Sequence, residues 1–257
     1  MTHPRLAAQL YTVRDFCKTT DDFRTSMAKI AAIGYTAVQV SGIGPTIPHQ
    51  EVRAITDANG LAICITHVGF DYLQNDLDSA IAQHKLWNCP NVAIGSMPPA
   101  YREGGEAGFV KFAHDATEIG HKLADAGLTF SYHNHSFEFV RFGNRTGLDL
   151  IYEESDPAYL KAEIDTYWVQ HGGGDVISWI DKMADRMPVI HFKDMVIDGG
   201  QQVMAEIGEG NLNWEGILEA CELADVEWYA IEQDVCRRDP FESLRISYDN
   251  LRAMGVE

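Results

Sequence analysis

Short apolar stretches alternate along this chain with longer stretches in which apolar residues recur every three or four positions. The short stretches are rich in β-branched and aromatic residues and predict buried strands, whereas the longer ones predict helices with one buried face. The predicted strands span residues 6–11, 37–40, 61–66, 92–95, 128–133, 159–164, 189–192 and 228–231. The predicted helices span residues 21–33, 48–59, 76–87, 106–126, 176–187, 214–223 and 241–254. We interpret this pattern as eight successive strand-then-helix units, with seven of the helices delimited and none marked between the fifth and sixth strands.

Strands that are apolar on both faces and separated by helices are typical of a parallel sheet covered on both sides. Eight units within 257 residues fit a closed (β/α)8 TIM barrel, and we predict a single domain over residues 1–257. The alternative is an open, doubly wound sheet. That fold usually carries a glycine-rich turn after its first strand, and residues 11–14 contain no glycine.

The charge balance limits the classes of partner. A formal net charge of −18 repels phosphate backbones and anionic lipids, so neither nucleic acid nor a membrane is an expected partner. The five cysteines contain no CxxC pair, no apolar stretch approaches the length of a membrane span, and the first residues lack the pattern of a secretory signal. We therefore expect a cytoplasmic protein, with a homo-oligomer left open.

Polar side chains follow several of the predicted strands at their carboxyl ends, where TIM barrels carry their functional sites. Strands five to eight each supply a carboxylate or an imidazole, and such groups buried side by side would repel one another without a cation. The sequence therefore predicts a divalent metal site with mixed nitrogen and oxygen ligands. The residues at these ends are His67, His133, His135, Glu138, Asp165, His191, Lys193 and Glu232.

Several of these residues also have a structural interpretation. Asp165 could cap a short turn, Glu232 could pair with Arg237 or Arg238, and His191 could be a buried histidine bonded to a carbonyl. Lys193 is expected to bind a substrate oxyanion or hydroxyl, or to form a salt bridge at the rim.

Four side chains are candidates for contact with a substrate. Trp168 suits a sugar ring as a packing platform, although large aromatic residues often serve only in the core. His67 and Gln9, with Lys193, are candidate sugar ligands. Segment 98–108 is predicted to be a functional loop, and segment 207–210 either folds over the mouth or forms a simple turn.

Several motifs together resemble the sugar phosphate isomerase/epimerase family of xylose isomerase-like TIM barrels. They are YHNHSFEF at 132–139, DTYWVQHGG at 165–173, HFKD at 191–194, IGEGNLNW at 207–214 and EQD at 232–234. The resemblance implies one divalent metal ion, with Mn²⁺ expected first and Co²⁺, Mg²⁺ or Zn²⁺ as alternatives. The implied ligands are Glu138, Asp165, His191 and Glu232. His133 stands where many epimerases of the group have a glutamate, so it is the alternative ligand on the fifth strand.

The resemblance implies a keto-sugar epimerase or isomerase that abstracts a proton next to a carbonyl through a metal-stabilised enediolate. We expect His133 or His135 to act with Glu232 and Lys193 as catalytic groups. The histidine-rich fifth strand is also similar to dehydratases and lyases that act on inososes or 3-keto-glycosides, which is the alternative reaction. A third possibility is a sugar-binding barrel without catalysis.

Overall fold

Eight parallel strands form the centre of the molecule in a computed structural model that describes residues 5–256. The prediction of a single domain over residues 1–257 also includes residues 1–4 and 257, which lie outside the described part. The strands span Arg5–Gln9, Ala37–Val40, Ala62–His67, Asn91–Ile94, Thr129–His133, Lys161–Glu163, Val189–Phe192 and Trp228–Ile231. The ends of each strand lie within two residues of the predicted bounds.

The strands close into a barrel. Neighbouring strands pair in the order six, five, four, three, two, one, eight, seven, and every pair is parallel. A parallel bridge between Asp165 and His191, with the His191 amide 2.8 Å from the Ile164 carbonyl oxygen, joins the sixth strand to the seventh. The predicted (β/α)8 barrel is therefore confirmed, and the open doubly wound sheet is not formed.

Helices alternate with the strands; each predicted helix is formed, whereas the helices Phe70–Asn75, Gly147–Glu153 and Thr166–His171 were not predicted. The α-helices span Thr20–Ile33, His49–Ala58, Phe70–Asn75, Leu77–Trp87, Pro99–Glu103, Gly105–Asp125, Gly147–Glu153, Thr166–His171, Val176–Lys182, Trp214–Leu223 and Pro240–Ala253. Short 3-10 helices span Leu10–Phe16, Phe137–Phe139 and Ala184–Arg186. The helix Gly105–Asp125 buries Phe112, Ala116 and Leu123 at helical spacing against the strands.

Some short elements were absent from the prediction. Segment 98–108 was expected to be a loop, but it forms the helix Pro99–Glu103 and the start of Gly105–Asp125. Pro99 can open a helix because its fixed φ suits the first turn and its missing N–H has no partner there. An antiparallel hairpin of Asp194–Asp198 and Gln201–Ala205 follows the seventh strand, and Arg141–Phe142 pairs with Arg145–Thr146.

Segment 207–214 wraps around the carboxylate of Asp194. The backbone amides of Gly208, Gly210 and Leu212 donate to this carboxylate at 2.9, 3.0 and 3.3 Å, and the Trp214 indole donates at 2.6 Å. Gly208 has a φ of +85°, which favours glycine. The segment is therefore fastened to the residue that follows Lys193.

The barrel interior has an apolar layer below a polar one. Ala7, Ala37, Ala93 and Ala230 belong to one buried cluster inside the strands. Side chains alternate between the two faces of a strand, so the inward residue two positions further on lies one layer higher. Those positions hold Gln9, Gln39, Gly95 and Glu232. The carboxyl end of the barrel is thus polar inside while still buried.

Among residues 5–256, no helix combines the length and the apolar character needed to cross a lipid bilayer.

The packing of the helix Gly105–Asp125 gives a test of the fold. A Cβ on Gly120 would lie 2.0 Å from the Tyr159 carbonyl oxygen, so we expect Gly120→Ala to lower the free energy of unfolding by about 1–3 kcal/mol. Urea unfolding followed by circular dichroism measures the change. Gly69→Ala is the control, because nothing lies within 4 Å of its Cβ position. Equal stability of Gly120→Ala and the unaltered chain would contradict this packing.

Candidate metal centre

Four buried side chains from four neighbouring strands meet at the carboxyl end of the barrel. One ligand atom of each lies within 4.8 Å of the corresponding atoms of the others. We call this set the four-residue group; it consists of His133, Asp165, His191 and Glu232. All four side chains are buried, with 4% exposure or less. The sequence-based expectation that strands five to eight supply converging groups agrees with this arrangement.

His133 directs its Nε2 atom into the four-residue group. Its Nδ1 lies 3.0 Å from the Gly95 carbonyl oxygen, which can only accept a hydrogen bond, so Nδ1 carries the proton. In the neutral ring Nε2 is then a lone-pair nitrogen, and it lies 3.2 Å from Asp165 Oδ2. A lone pair facing a carboxylate oxygen at this distance is repulsive unless a cation or a second proton lies between them.

His191 repeats this arrangement from the seventh strand. Its Nε2–H points towards two acceptor oxygens, Gln39 Oε1 at 2.7 Å and Glu163 Oε1 at 3.0 Å. Its Nδ1 faces Glu232 Oε2 at 3.1 Å. Although burial opposes the effect, Glu163, Asp165 and Glu232 raise the pKa of His191 well above its usual value. The four-residue group thus favours positive charge at its centre.

These donors fit a divalent cation. Two imidazole nitrogens and two carboxylate oxygens are ligands that suit Mn²⁺, Co²⁺ or Zn²⁺, and carboxylates also suit Mg²⁺. The second nitrogen of each imidazole is bonded to an acceptor, as is usual for histidines that bind metals. The bonding to Gly95 and Glu163 fixes both rings before any ligand arrives.

Lys193 adds a buried ammonium next to the four-residue group. Its Nζ lies 3.0 Å from Asp165 Oδ2, 2.7 Å from Glu232 Oε2 and 2.9 Å from Asp234 Oδ2. These carboxylates raise the pKa of Lys193 well above its usual value, against the effect of burial, so the group stays charged. Lys193 lies inside the barrel mouth rather than in a salt bridge at the rim. Arg237 and Arg238 pair with other acids and not with Glu232.

Glu138 lies outside the four-residue group, although it was the first candidate for the ligand on the fifth strand. Its Oε1 accepts a hydrogen bond from the Tyr132 hydroxyl at 2.5 Å, and its Oε2 accepts one from the His135 amide at 2.9 Å. Tyr132 and His133 are adjacent in a strand and point to opposite faces. Tyr132 packs against Phe112 in the helix layer, and Glu138 follows it there. Burial raises the pKa of Glu138 to about 7.

His135 and Trp168 lie beside the four-residue group with polar atoms that have no partner. Their ring centroids are 5.2 Å apart, and the Lys193 ammonium lies 5.6 Å from the Trp168 ring. His135 Nδ1 and Trp168 Nε1 are buried and make no hydrogen bond within the described chain. Burial lowers the pKa of His135 to about 3, so this imidazole is neutral at neutral pH.

Gln9 and His67, two candidate sugar ligands, are bonded to carboxylates of the site. Gln9 Nε2 donates to Glu232 Oε1 at 2.9 Å, and its Oε1 accepts the Tyr11 amide at 2.6 Å. Gln9 therefore fixes the orientation of Glu232, with one N–H and one oxygen lone pair of its amide remaining. His67 Nε2 lies 2.7 Å from Glu163 Oε2, and burial lowers the pKa of His67.

Comparison with known proteins gives the family. A family model described as "Xylose isomerase-like TIM barrel" matches residues 27–252. The chain belongs to this family. The match confirms the resemblance carried by the sequence motifs.

Relatives of this xylose isomerase-like barrel include several types of sugar enzyme. An inosose dehydratase from Geobacillus thermodenitrificans is 25% identical over 142 residues, which are 48% of this chain and 47% of that protein. A sugar phosphate isomerase/epimerase structure from Parabacteroides distasonis has a TM-score of 0.82 at 21% identity, covering 100% of this chain and 96% of its own. An L-ribulose 3-epimerase structure has a TM-score of 0.71 at 14% identity, and the match covers 97% of this chain and 94% of the epimerase. The two structural matches concern the fold.

Sequence reasoning missed Glu163 in this xylose isomerase-like barrel, and it did not foresee the contacts that Gln39 and Asp234 make with the site. Glu163, Gln39 and Asp234 each contact a member of the four-residue group or Lys193. The signal for Glu163 was present in the sequence. It stands two residues before Asp165 and therefore shares its side of the chain where the sixth strand ends.

Metal binding separates the two candidates for the ligand on the fifth strand. We expect the unaltered protein to bind one divalent ion, which stabilises the fold by roughly 2.7 kcal/mol at a free metal concentration of 100 times Kd. His133→Ala should weaken binding by at least roughly 100-fold, because it removes a ligand nitrogen. Calorimetric titration with Mn²⁺ and Zn²⁺ measures Kd directly.

Glu138→Gln is the matched variant and should keep the metal affinity of the unaltered protein. Loss of the metal in Glu138→Gln with full binding in His133→Ala would reverse the assignment. Circular dichroism of both variants checks that the barrel has folded.

Proposed function

We propose that this protein is a divalent-metal-dependent enzyme that removes a proton next to the carbonyl of a keto sugar, acting as an epimerase or isomerase. One observation carries the proposal: a ring nitrogen of His133 and one of His191 meet two carboxylate oxygens at the barrel mouth, beside a buried ammonium. The epimerases and dehydratase among its relatives support a sugar as the substrate.

His133, Asp165, His191 and Glu232 would hold the metal ion. When bound there, a divalent cation supplies Lewis acidity that lowers the cost of negative charge on the oxygen of the reacting carbonyl. His133 then serves as a ligand rather than as the base, since its Nδ1 is bonded to the Gly95 carbonyl oxygen and its Nε2 would face the metal. Gln9 holds the remaining oxygen of Glu232 and keeps that carboxylate in place.

Lys193 is suited to bind a sugar oxygen. Its ammonium is already dehydrated and held by Asp165, Glu232 and Asp234, so little rearrangement is needed when an oxygen becomes negative. A charge-assisted hydrogen bond from a buried donor is also stronger than one in water. Lys193 therefore orients the substrate and stabilises charge that develops next to the carbon that loses its proton.

We assign proton transfer to His135. Its ring is neutral because burial lowers its pKa to about 3, and its Nδ1 has no partner within the described chain. This unpartnered nitrogen is the atom that can accept a proton from the substrate carbon. Trp168 packs next to His135 and to the Lys193 ammonium, where it would border the sugar ring and exclude water.

β-Elimination is the second candidate reaction and begins with the same proton removal. The similarity to an inosose dehydratase favours it, as does the imidazole of His133 in the four-residue group where many epimerases use a glutamate. In this reaction the proton is not returned, and a substituent on the neighbouring carbon departs. The substrate would then be an inosose or a 3-keto-glycoside.

Exchange of a substrate proton with D₂O tests the proposed chemistry. Keto sugars incubated with the metal-loaded protein should exchange the proton next to the carbonyl, and Glu232→Gln should lower that rate by about 10²–10⁴-fold, because it removes a carboxylate ligand. NMR measures the exchange, and mass spectrometry separates an epimer of equal mass from an unsaturated product.

Glu219→Gln is the control, since Glu219 is exposed on the helix Trp214–Leu223 and should not affect the rate. Tight sugar binding with no proton exchange would overturn the proposal and leave a sugar-binding barrel. Unchanged exchange in Glu232→Gln would remove Glu232 from the site.

A further inference from the structure

Glu163 joins two imidazoles through one buried carboxylate. It ends the sixth strand and is fully buried. Its Oε1 lies 3.0 Å from His191 Nε2 and accepts the Gln39 amide at 2.9 Å. Its Oε2 lies 2.7 Å from His67 Nε2. Glu163 does not belong to the four-residue group, yet it contacts one member of that group and one candidate sugar ligand.

The contacts fix where each imidazole carries its proton. An ionised carboxylate only accepts hydrogen bonds, so His67 Nε2 donates to Glu163, and His191 Nε2 donates towards Glu163 Oε1 at 3.0 Å and Gln39 Oε1 at 2.7 Å. In the neutral rings the Nδ1 atoms are then the lone-pair nitrogens. For His191, this leaves Nδ1 as the atom that faces the four-residue group. For His67, it leaves Nδ1 as an acceptor.

Gly95 leaves the Nδ1 atom of His67 uncovered. A Cβ at position 95 would lie 2.9 Å from His67 Nδ1 and 3.3 Å from its Cγ, so a larger residue would press on the ring. His67 also lines a cavity of about 190 Å³ next to the mouth, together with Ser41, Gly42 and Trp87. This volume is several times the ~30 Å³ that one water molecule occupies in the liquid, so part of a sugar can enter.

We propose that Glu163 is a positioning residue that holds His191 Nδ1 as a metal ligand and His67 Nδ1 as an acceptor for a substrate hydroxyl. The hydroxyl belongs to a neutral sugar, so the acceptor role of His67 rests on the proposed function. The proton positions of the two imidazoles do not depend on the proposed function. One carboxylate thus couples the orientation of the metal ligand to recognition of the substrate.

A merely structural role for Glu163 makes a different prediction. If the carboxylate served only to neutralise buried charge, its replacement would change stability without moving the proton of His67. Glu163→Gln preserves the shape but offers one acceptor oxygen and an amide that donates. It cannot accept from both histidines, so His67 should shift its proton from Nε2 towards Nδ1.

Long-range ¹H–¹⁵N correlation spectra of the metal-free protein report the proton position of each imidazole. We expect His67 to carry its proton on Nε2 in the unaltered protein and on Nδ1, at least in part, in Glu163→Gln. Calorimetry should show Mn²⁺ affinity weakened by roughly 10–100-fold in that variant, the usual effect of losing a partner behind a ligating histidine. Glu163→Asp, which keeps a carboxylate, should restore part of the affinity.

Glu206→Gln is the matched control. Glu206 is also a buried glutamate, but it bonds Ser243 and Arg238, not the imidazoles. It should change neither the proton of His67 nor the metal affinity.

The spectrum of the unaltered protein decides the proposal even if Glu163→Gln does not fold, because a proton on Nδ1 of His67 would overturn it. An unchanged His67 spectrum and metal affinity in a folded Glu163→Gln would also overturn it. If His67 carries its proton on Nε2 but no sugar proton exchanges with D₂O, the proposed function is refuted. The role of Glu163 in positioning His191 for the metal then still stands.

Discussion

The structure depends on how negative charge is accommodated inside the barrel. Glu163 lies 3.0 Å from His191, while Asp165, Glu232 and Asp234 lie 2.7–3.0 Å from Lys193, and burial makes each carboxylate costly to ionise unless it is paired. Lys193 and His191 are the buried cations that face them. The carboxylates outnumber these partners, so the interior attracts a further cation, and the remaining hydrogen bonds hold each ligand atom in position.

The period of the strands makes this arrangement possible. Gln9, Gln39 and Glu232 each follow an inward-facing alanine by two positions. These alanines form an apolar layer directly below the three polar side chains. Gln9 and Gln39 each donate to a carboxylate of the site and fix its orientation. Neutral amides in the first two strands thus support charged groups in the last three.

Much of the fold and part of the site could be predicted from the sequence. The barrel follows from eight apolar stretches separated by helical ones, and the positions of Asp165, His191 and Glu232 follow from their places after strands. The ligand on the fifth strand could not be decided in this way. After His133 the chain turns into the 3-10 helix Phe137–Phe139, and this turn directs Glu138 to Tyr132. Short helices such as Thr166–His171 leave too few residues for a helical period to show.

The attachment of segment 207–214 to Asp194 makes the position of Lys193 independent of the hairpin that follows it. Substitutions can therefore accumulate in the hairpin without moving Lys193. Asp194 binds four donors of that segment, and the hairpin Asp194–Ala205 leaves from the same residue, with Gly199 and Gly200 at its turn. The hairpin can therefore grow, shrink or change its exposed side chains while Lys193, one residue before the anchor, keeps its place. Related barrels could acquire new substrate preferences at this point without rebuilding the reactive centre.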